Sequence, residues 1–454
     1  MKGMCKMGTY RNNELQYLED SFYKDSNEMI VVYGQKYVGT DEIIREYLKD
    51  KTSITLSACE ATTRQQCYMW AQHLADRGLN LSDYPSFIEI MDVIQSIHNN
   101  KFVLIIENFD YLLRTDASSF EALVQLINSA CNVQILLISS AVSFIENSMV
   151  ERIGRSALNI NGFLKIKPLP FKALCEYFYN SSKEECLQIY SILGGYKELW
   201  YYFDINRSVK ENIELNILNP YSFLHKEALN ILNDELRELN VYSTILKSLA
   251  DDMNKLNEIH EHTSFSRAKI SVYLKNLMEL EVVEKMYSIE TQGRENTKKG
   301  MYRISHPFIR FYFTFIHGMH IKQGDENNYL KTYILGKLRA YTASVFEDIC
   351  TEYFVTKNAE QKLAFPYNRI GKWLGKAGTI PVIADAGSHY MAGYCSYEKP
   401  IMTNDDYEWF TYLLTQAQIK PSFIYLFAIS GFDEKILLES KIKGNIKTVI
   451  LEDF

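Results

Sequence analysis

Residues 29–41 read Met29-Ile30-Val31-Val32-Tyr33-Gly34-Gln35-Lys36-Tyr37-Val38-Gly39-Thr40-Asp41. The apolar run Met29–Tyr33 predicts a buried strand, and Thr40–Lys49 has the spacing of a helix. Between them lies Gly34-x-x-x-x-Gly39. Strand, glycine-bounded loop and helix together are the setting of a phosphate-binding loop. The glycines let the backbone turn so that its N–H groups face an anion at the helix N-terminus. A working loop continues with Lys, which neutralises terminal phosphates, and Ser or Thr, which holds magnesium. Here Thr40 brings no charge, and Asp41 places a carboxylate where phosphates would lie.

Working outward, the first 170 residues alternate strands and helices. Strands are expected at Ser53–Ser57, Phe102–Ile106, Val133–Ile138 and Phe163–Lys167, with helices at Thr62–Arg77, Pro85–His98 and Ser118–Ala130. Such alternation predicts a parallel sheet covered on both faces. The strand Phe102–Ile106 ends in Glu107-Asn108, about 70 residues after the glycine loop. ATPases of this type place an acid and then Glu there. Glu107 retains a carboxylate, but Asn108 cannot act as a base.

After Pro168 the pattern turns helical, with Phe171–Asn180, Lys183–Leu193 and Leu224–Leu239 read as a lid-type bundle. Tyr242–Ile304 then reads as a winged helix. Helices Tyr242–Asp251, Leu256–His262 and Ser266–Leu280 (Ser266 as N-cap) precede two strands, Val282–Tyr287 and Gly300–Ile304, around the polar loop Ser288–Lys299. Aromatic Pro307–His320 closes that domain, and Gly324–Asn328 is a polar break. From about Leu330 the chain is α/β again, with a helix at Tyr341–Phe354, strands at Ile380–Ala384, Tyr390–Cys395 and Ser422–Ile429, and a helix at Asp405–Gln418. The expected domains are 1–170, 171–239, 240–320 and 330–454.

Composition limits what such a chain does. Its 454 residues imply roughly three domains. A net charge of -7 leaves any nucleic-acid contact to a local basic patch. No apolar run approaches the roughly 20 residues a membrane span needs, and Met1–Tyr10 has no apolar signal core, so a cytoplasmic location is expected. None of the eight cysteines forms a C-x-x-C pair. His260 and His262, two apart on a helix, do not share a face. No metal site is expected.

Several motifs, in order along nearly the whole chain, make it resemble the prokaryotic, archaeal-type P-loop ATPase family, a relative of the STAND NTPases, that carries a C-terminal restriction-endonuclease-like domain. Arg11-Asn12-Asn13-Glu14-Leu15 resembles the family's entry motif, Gly34–Asp41 its phosphate loop and Phe102–Leu112 its acidic strand. Leu136–Phe144 resembles the sensor strand, with Ser139 or Ser140 at the γ-phosphate position. Gly154-Arg155 matches a Gly-Arg pair facing nucleotide or a neighbouring subunit. Gly194-Gly195-Tyr196-Lys197 resembles a Gly-Gly-x-Pro turn, with Lys197 in place of Pro. The most specific match is Tyr302-Arg303-Ile304-Ser305-His306-Pro307-Phe308-Ile309-Arg310-Phe311, with His306 where Asp is usual. The resemblance implies nucleotide-binding candidates Arg11, Gly34, Gly39, Thr40, Ser139 and Arg155. It gives Lys36, at a variable position, little claim to replace the missing lysine.

Ile370-Gly371-Lys372-Trp373-Leu374-Gly375 resembles the lead-in to the nuclease-like core, which normally carries Glu-Ile-Asp on one strand and Glu-x-Lys on the next. This chain has Thr379-Ile380-Pro381 and Tyr394-Cys395-Ser396 instead. Pro381, Tyr394 and Ser396 offer neither the carboxylates that hold a metal nor the lysine. Glu347 matches an acidic position of the fold, and Asp385 is nearby. Pro381 also implies an edge or bulged strand. On the winged helix, Arg267, Lys269 and Lys275 mark the candidate recognition helix. Eight basic residues there and along the wing stand against five glutamates. The sequence therefore supports two readings. One is a non-catalytic regulatory or scaffold protein whose partner is another protein or a second copy. The other is a weakly ATP- and magnesium-binding switch that acts on DNA through the winged helix.

Overall fold

The computed structural model of the chain describes residues 8–454 except 80, 98, 99, 130, 131, 292–299, 320 and 323. Two compact units emerge. The first comprises Met1–Pro168 with Tyr196–Glu198, and the second Leu169–Gly195 with Leu199–Phe454.

The first unit is built on a five-stranded, all-parallel sheet of β1 (Glu28–Tyr33), β2 (Ser53–Ser57), β3 (Phe102–Glu107), β4 (Val133–Ser139) and β5 (Gly162–Lys165), in the order β2-β3-β4-β1-β5. The central strands β1 and β4 are buried at every position, as their unbroken apolar runs require when helices cover both faces. β2, at an edge, alternates in burial. One face carries Trp70, Phe102, Phe109 and Phe120 among its largest side chains. The other packs Ile30, Val32, Val103 and Leu136 against Leu18, Ile43 and Tyr47. The order places β4 between the strand that leads into the glycine loop and the strand that ends in Glu107. This is the parallel sheet of a P-loop ATPase fold. The expected strands match within two residues at each end.

In the second unit, helices Phe171–Tyr177, Lys183–Leu193 and Leu224–Asn233 come first. The last of these stops at Asn233, short of the Leu239 expected. Helices Leu239–Ala250, Leu256–Thr263 and Arg267–Glu279 are followed by an antiparallel hairpin of β6 (Val283–Met286) and β7 (Met301–Ile304). Ser266 caps the third helix through a bond from the Lys269 N–H. Of the polar loop between the two strands, Arg294, Glu295, Lys298 and Lys299 lie outside the described residues. The expected break at 324–328 contains a helical turn, Glu326–Tyr329, and the next helix runs Leu335–Ala359.

A second five-stranded sheet, now mixed, closes the unit. It is made of β8 (Arg369–Leu374), β9 (Thr379–Asp385), β10 (Tyr390–Ser396), β12 (Phe423–Ala428) and β14 (Ile446–Ile450), in the order β14-β12-β10-β9-β8. β8, β9 and β10 are antiparallel neighbours, and β10, β12 and β14 run parallel. The short strands β11 (Ile401–Met402) and β13 (Gly431–Phe432) pair separately. Helices Asn404–Gln416 and Glu434–Lys443 pack on one face through Phe410, Leu413 and Ile436. β9 lies inside the sheet, so Pro381 is not on an edge. The strand is bulged there instead, since the β8 pairing shifts between Gly371↔Ile383 and Trp373↔Ile380. Just beyond β6, Ser288 bridges to Lys372 of β8, and its Oγ accepts the Leu374 N–H at 3.3 Å.

Candidate functional site

The Gly34–Asp41 loop leaves β1 at Gly34, whose N–H donates to the Ser139 carbonyl at 3.3 Å. A Cβ at Gly34 would sit 2.5 Å from the Ile166 carbonyl oxygen, so only glycine fits. Tyr37 (φ 70°) and Gly39 (φ 96°) both take left-handed backbone, which turns the chain into the helix Thr40–Tyr47. Lys36 lies over the Tyr37 ring, with Nζ 5.1 Å from its centroid.

Carboxylates crowd this turn. Asp41 and Glu42 occupy the first turn of the helix, where the helix dipole favours negative charge. Residues 196–198 fold against the loop at three successive positions. Tyr196 Oη donates to Gln35 Oε1. Lys197, 6% exposed, places Nζ 2.6 Å from Glu42 Oε1, and its Cβ lies 4.0 Å from where a Gly39 Cβ would be. The Glu198 N–H donates to the Tyr37 carbonyl at 3.3 Å. The Glu198 carboxylate lies beside Asp41, Glu42 and the Gly39 N–H. Burial, then the neighbouring Asp41 and Glu42, raise its pKa above the usual carboxylate range.

The remaining residues proposed for this site serve several local contacts. Arg11 is 4% exposed. Its Nη2 donates to the carbonyls of Val38 (3.0 Å) and Lys167 (2.8 Å), and its Nη1 pairs with Glu14 at 3.1 Å. The guanidinium thus ties the loop to the chain that follows β5. Ser139 Oγ donates to Asp110 at 2.6 Å and accepts the Ala141 N–H at 3.0 Å, while Ser140 is exposed. Glu107 accepts the Ser57 hydroxyl. Asn108 is exposed, in left-handed backbone (φ 53°) that asparagine tolerates. Arg155 is exposed on the turn that follows Gly154.

Two features here escape a sequence reading. Asp110 is a buried carboxylate held by Ser139 and, at 3.4 Å, by Arg114, and burial raises its pKa. Its signal was only an acid three places beyond Glu107. Glu198 has no local signal at all, because the loop it serves lies about 160 residues earlier.

In the second unit, the conspicuous motif around 302–311 organises the helix Leu335–Ala359. Arg303 pairs with Glu284 and, at 2.9 Å, with Asp348. Arg310 donates to Tyr341 Oη (3.2 Å) and Ser344 Oγ (2.8 Å). His306 is the N-cap of the helix Pro307–Phe315, its Nδ1 accepting the Ile309 N–H at 3.5 Å, and burial pushes its pKa down to about 3. An aspartate suits that position for the same reason, since N-caps need a side-chain acceptor.

Lys372 Nζ lies 2.9 Å from Glu347 and 3.2 Å from Asp348, so Glu347 is engaged with a lysine. Asp385 pairs with Arg369 at 2.5 Å, at the far end of β9 from Pro381. Tyr394 stacks on Phe410 with ring centroids 5.2 Å apart, and burial raises its phenol to about 12. Ser396 is buried. On the helix Arg267–Glu279, Arg267 donates to Asn257 (2.7 Å), Lys269 lies 4.6 Å from the Phe265 ring centroid, and Lys275 pairs with Glu279 at 3.5 Å. All three basic side chains are exposed. His260 and His262 are engaged with the Phe265 carbonyl and with Ser248. Among the described residues no group of three metal-ligating side chains occurs, and no helix is long and apolar enough to cross a membrane.

Comparison with known proteins gives four points of likeness. Residues 311–406 match DUF234, a family of archaeal and bacterial proteins of unknown function. An uncharacterized protein of Methanocaldococcus jannaschii is 26% identical over 388 residues, 82% of this chain and 83% of that protein. The Walker-type ATPase of Pyrococcus abyssi superposes with a TM-score of 0.50 at 16% identity, over 67% of this chain and 95% of that one. The ORC2 protein of Aeropyrum pernix, solved with ADPNP and ADP, has a TM-score of 0.45 at 12% identity, over 67% of this chain and 92% of that one. The chain is therefore similar in fold to the Walker-type ATPase of Pyrococcus abyssi.

Proposed function

We propose that this chain is a non-catalytic, cytoplasmic regulatory or scaffold protein, built on a P-loop ATPase-like domain (1–170), a helical lid (171–239), a winged helix (240–320) and a nuclease-like domain (330–454). The observation that carries the reading is the cluster of carboxylates at the loop: Asp41 and Glu42 in the first turn of the adjoining helix, Glu42 paired with Lys197, and Glu198 beside them. A phosphate-binding loop offers N–H groups and a helix dipole to an anion. Here the protein's own carboxylates stand at that position, and Lys197 is engaged with Glu42. A nucleoside triphosphate with magnesium does not fit this donor set. It would meet three carboxylates, and Thr40 lacks the lysine charge. Charge-assisted contacts contribute about 1.5–3 kcal/mol each, so losing one weakens binding by roughly ten- to more than a hundred-fold.

The nuclease-like sheet supports the same conclusion. Tyr394 is packed on Phe410, Pro381 occupies a bulge, and Glu347 is paired with Lys372. Two assays test the proposal. Calorimetric titration with ATP and magnesium is expected to give no saturation below about 1 mM. Plasmid and single-strand cleavage with magnesium or manganese is expected to show none. Magnesium-dependent ATP turnover abolished by Gly39→Trp, or cleavage lost in Glu347→Ala, would refute it.

A second reading, a weak nucleotide switch acting on DNA, is favoured by the exposure of Arg267, Lys269 and Lys275 along one helix, the geometry a winged helix presents to the major groove. Its test is competition binding at physiological salt. Loss of binding in Arg267→Ala with Lys269→Ala would support this reading.

A further inference from the structure

We propose that the outer face of helices Asn404–Gln416 and Glu434–Lys443 is the interface with a second copy of this chain. The two helices touch, and they cover the same side of the mixed sheet. Their inward residues are core. Their outward residues include Trp409 and Tyr412, each 45% exposed, and Leu437, Leu438 and Ile442, exposed by 39%, 60% and 73%. Large apolar side chains scattered singly on a surface are ordinary, but five on two adjoining helices form a patch of the kind that marks an interaction surface.

The patch is also ordered. Trp409 and Tyr412, one turn apart, stack with ring centroids 5.3 Å apart, and the Trp409 ring lies 3.6 Å from the position of a Cβ on Gly378. A pre-positioned tryptophan–tyrosine pair is the sort of anchor that dominates association energy.

Charge selects the occupant. The first helix carries Asp405, Asp406 and Glu408 and no basic residue. The second carries Lys435, Lys441 and Lys443 against Glu434 and Glu439. Lys443 pairs with Glu439, whereas Asp405, Lys435 and Lys441 are exposed and in no ion pair among the described residues. An acidic helix beside a basic one, with apolar residues on both, is self-complementary. A twofold axis sets the acidic helix of each copy on the basic helix of the other, so every contact is made twice.

Sedimentation velocity on the full chain, across about 1–100 μM, tests this; that range brackets the weak-to-moderate affinities of small interfaces. The chain is expected to be a dimer at the upper end. Glu408→Lys and Lys441→Glu, each alone, are expected to raise the dissociation constant at least tenfold. Together in one chain they are expected to recover the dimer, which a folding defect or an unrelated partner would not produce. Trp409→Asp is expected to give a monomer whose circular dichroism spectrum matches that of the wild type. A wild-type chain that is monomeric throughout, or a dimer indifferent to all of these substitutions, overturns the proposal.

Discussion

On the reading proposed above, the glycine loop of the first unit and the β9–β10 strands of the second have both exchanged the residues that do chemistry in the families they resemble, and the exchanges differ in kind. Around the loop, a cation has given way to carboxylates: Asp41, Glu42 and Glu198 surround the turn, and Lys197 partners one of them. In the sheet, charge has given way to packing: the Tyr394 ring lies on Phe410, and Pro381 sits in a bulge. A site refilled with ions keeps its backbone and is recoverable by changing a few side chains. A site refilled with aromatic carbon has become core, and restoring its charges should damage the fold.

That contrast is most exposed at position 394. Tyr394→Glu restores the acid of the resembling motif but removes a buried ring and leaves a carboxylate against Phe410. The expected loss is about 3–5 kcal/mol of unfolding free energy, with no gain of cleavage. A urea midpoint equal to wild type would show that the sheet site is as recoverable as the loop.

Protons probe the second unit next. Glu352 accepts the Phe171 N–H at 3.2 Å, and burial raises its pKa to about 7. The folded state therefore holds its proton more tightly than the unfolded chain does. The stability from this group is full below the unfolded value, near 4.3, and is lost as pH rises to about 7, by roughly 1–3 kcal/mol. Glu352→Gln is expected to flatten that part of the stability profile. A variant whose melts fall with pH as steeply as wild type contradicts this.

In the loop, Lys197→Met removes one partner of Glu42 beside Asp41 and Glu198, at an expected cost of about 2 kcal/mol, and Glu42→Gln on the same background should return most of it. Additive losses in the double-mutant cycle would mean that the pair contributes nothing jointly. The smallest effect concerns recovery itself. Thr40→Lys with Asp41→Ser should tighten ATP binding about tenfold, and adding Glu198→Gln should tighten it about tenfold again. If the third change has no effect, Glu198 is not what occupies the loop.

How far the sequence reveals this depends on distance along the chain. β1–β4 announce themselves because strands buried on both faces must be unbroken apolar runs. β8 was legible only as part of a resembling motif, since Arg369, Gly371 and Lys372 interrupt its apolar residues and only Trp373 is buried. The helix Glu434–Lys443 buries one residue, Ile436, and carries too little periodicity to be found. The missing lysine was visible at once at Thr40. The Glu198 carboxylate beside the loop was not, because no local pattern relates residues 39 and 198. His306 illustrates the converse: a departure from a motif that looks chemical is, in the fold, one helix cap exchanged for another.

The bridge from Ser288 to Lys372 has a further consequence. β8 is the last strand of its sheet, and an outermost strand with open N–H and C=O groups is a template for any other extended chain. The residues just past β6 lie along that border, with Ile289 seated beside Trp373 in the same apolar cluster. The hairpin thus works as a selvedge that finishes the sheet against fraying. Its reach toward anything else is set by that duty, because swinging it away would uncover the border it closes.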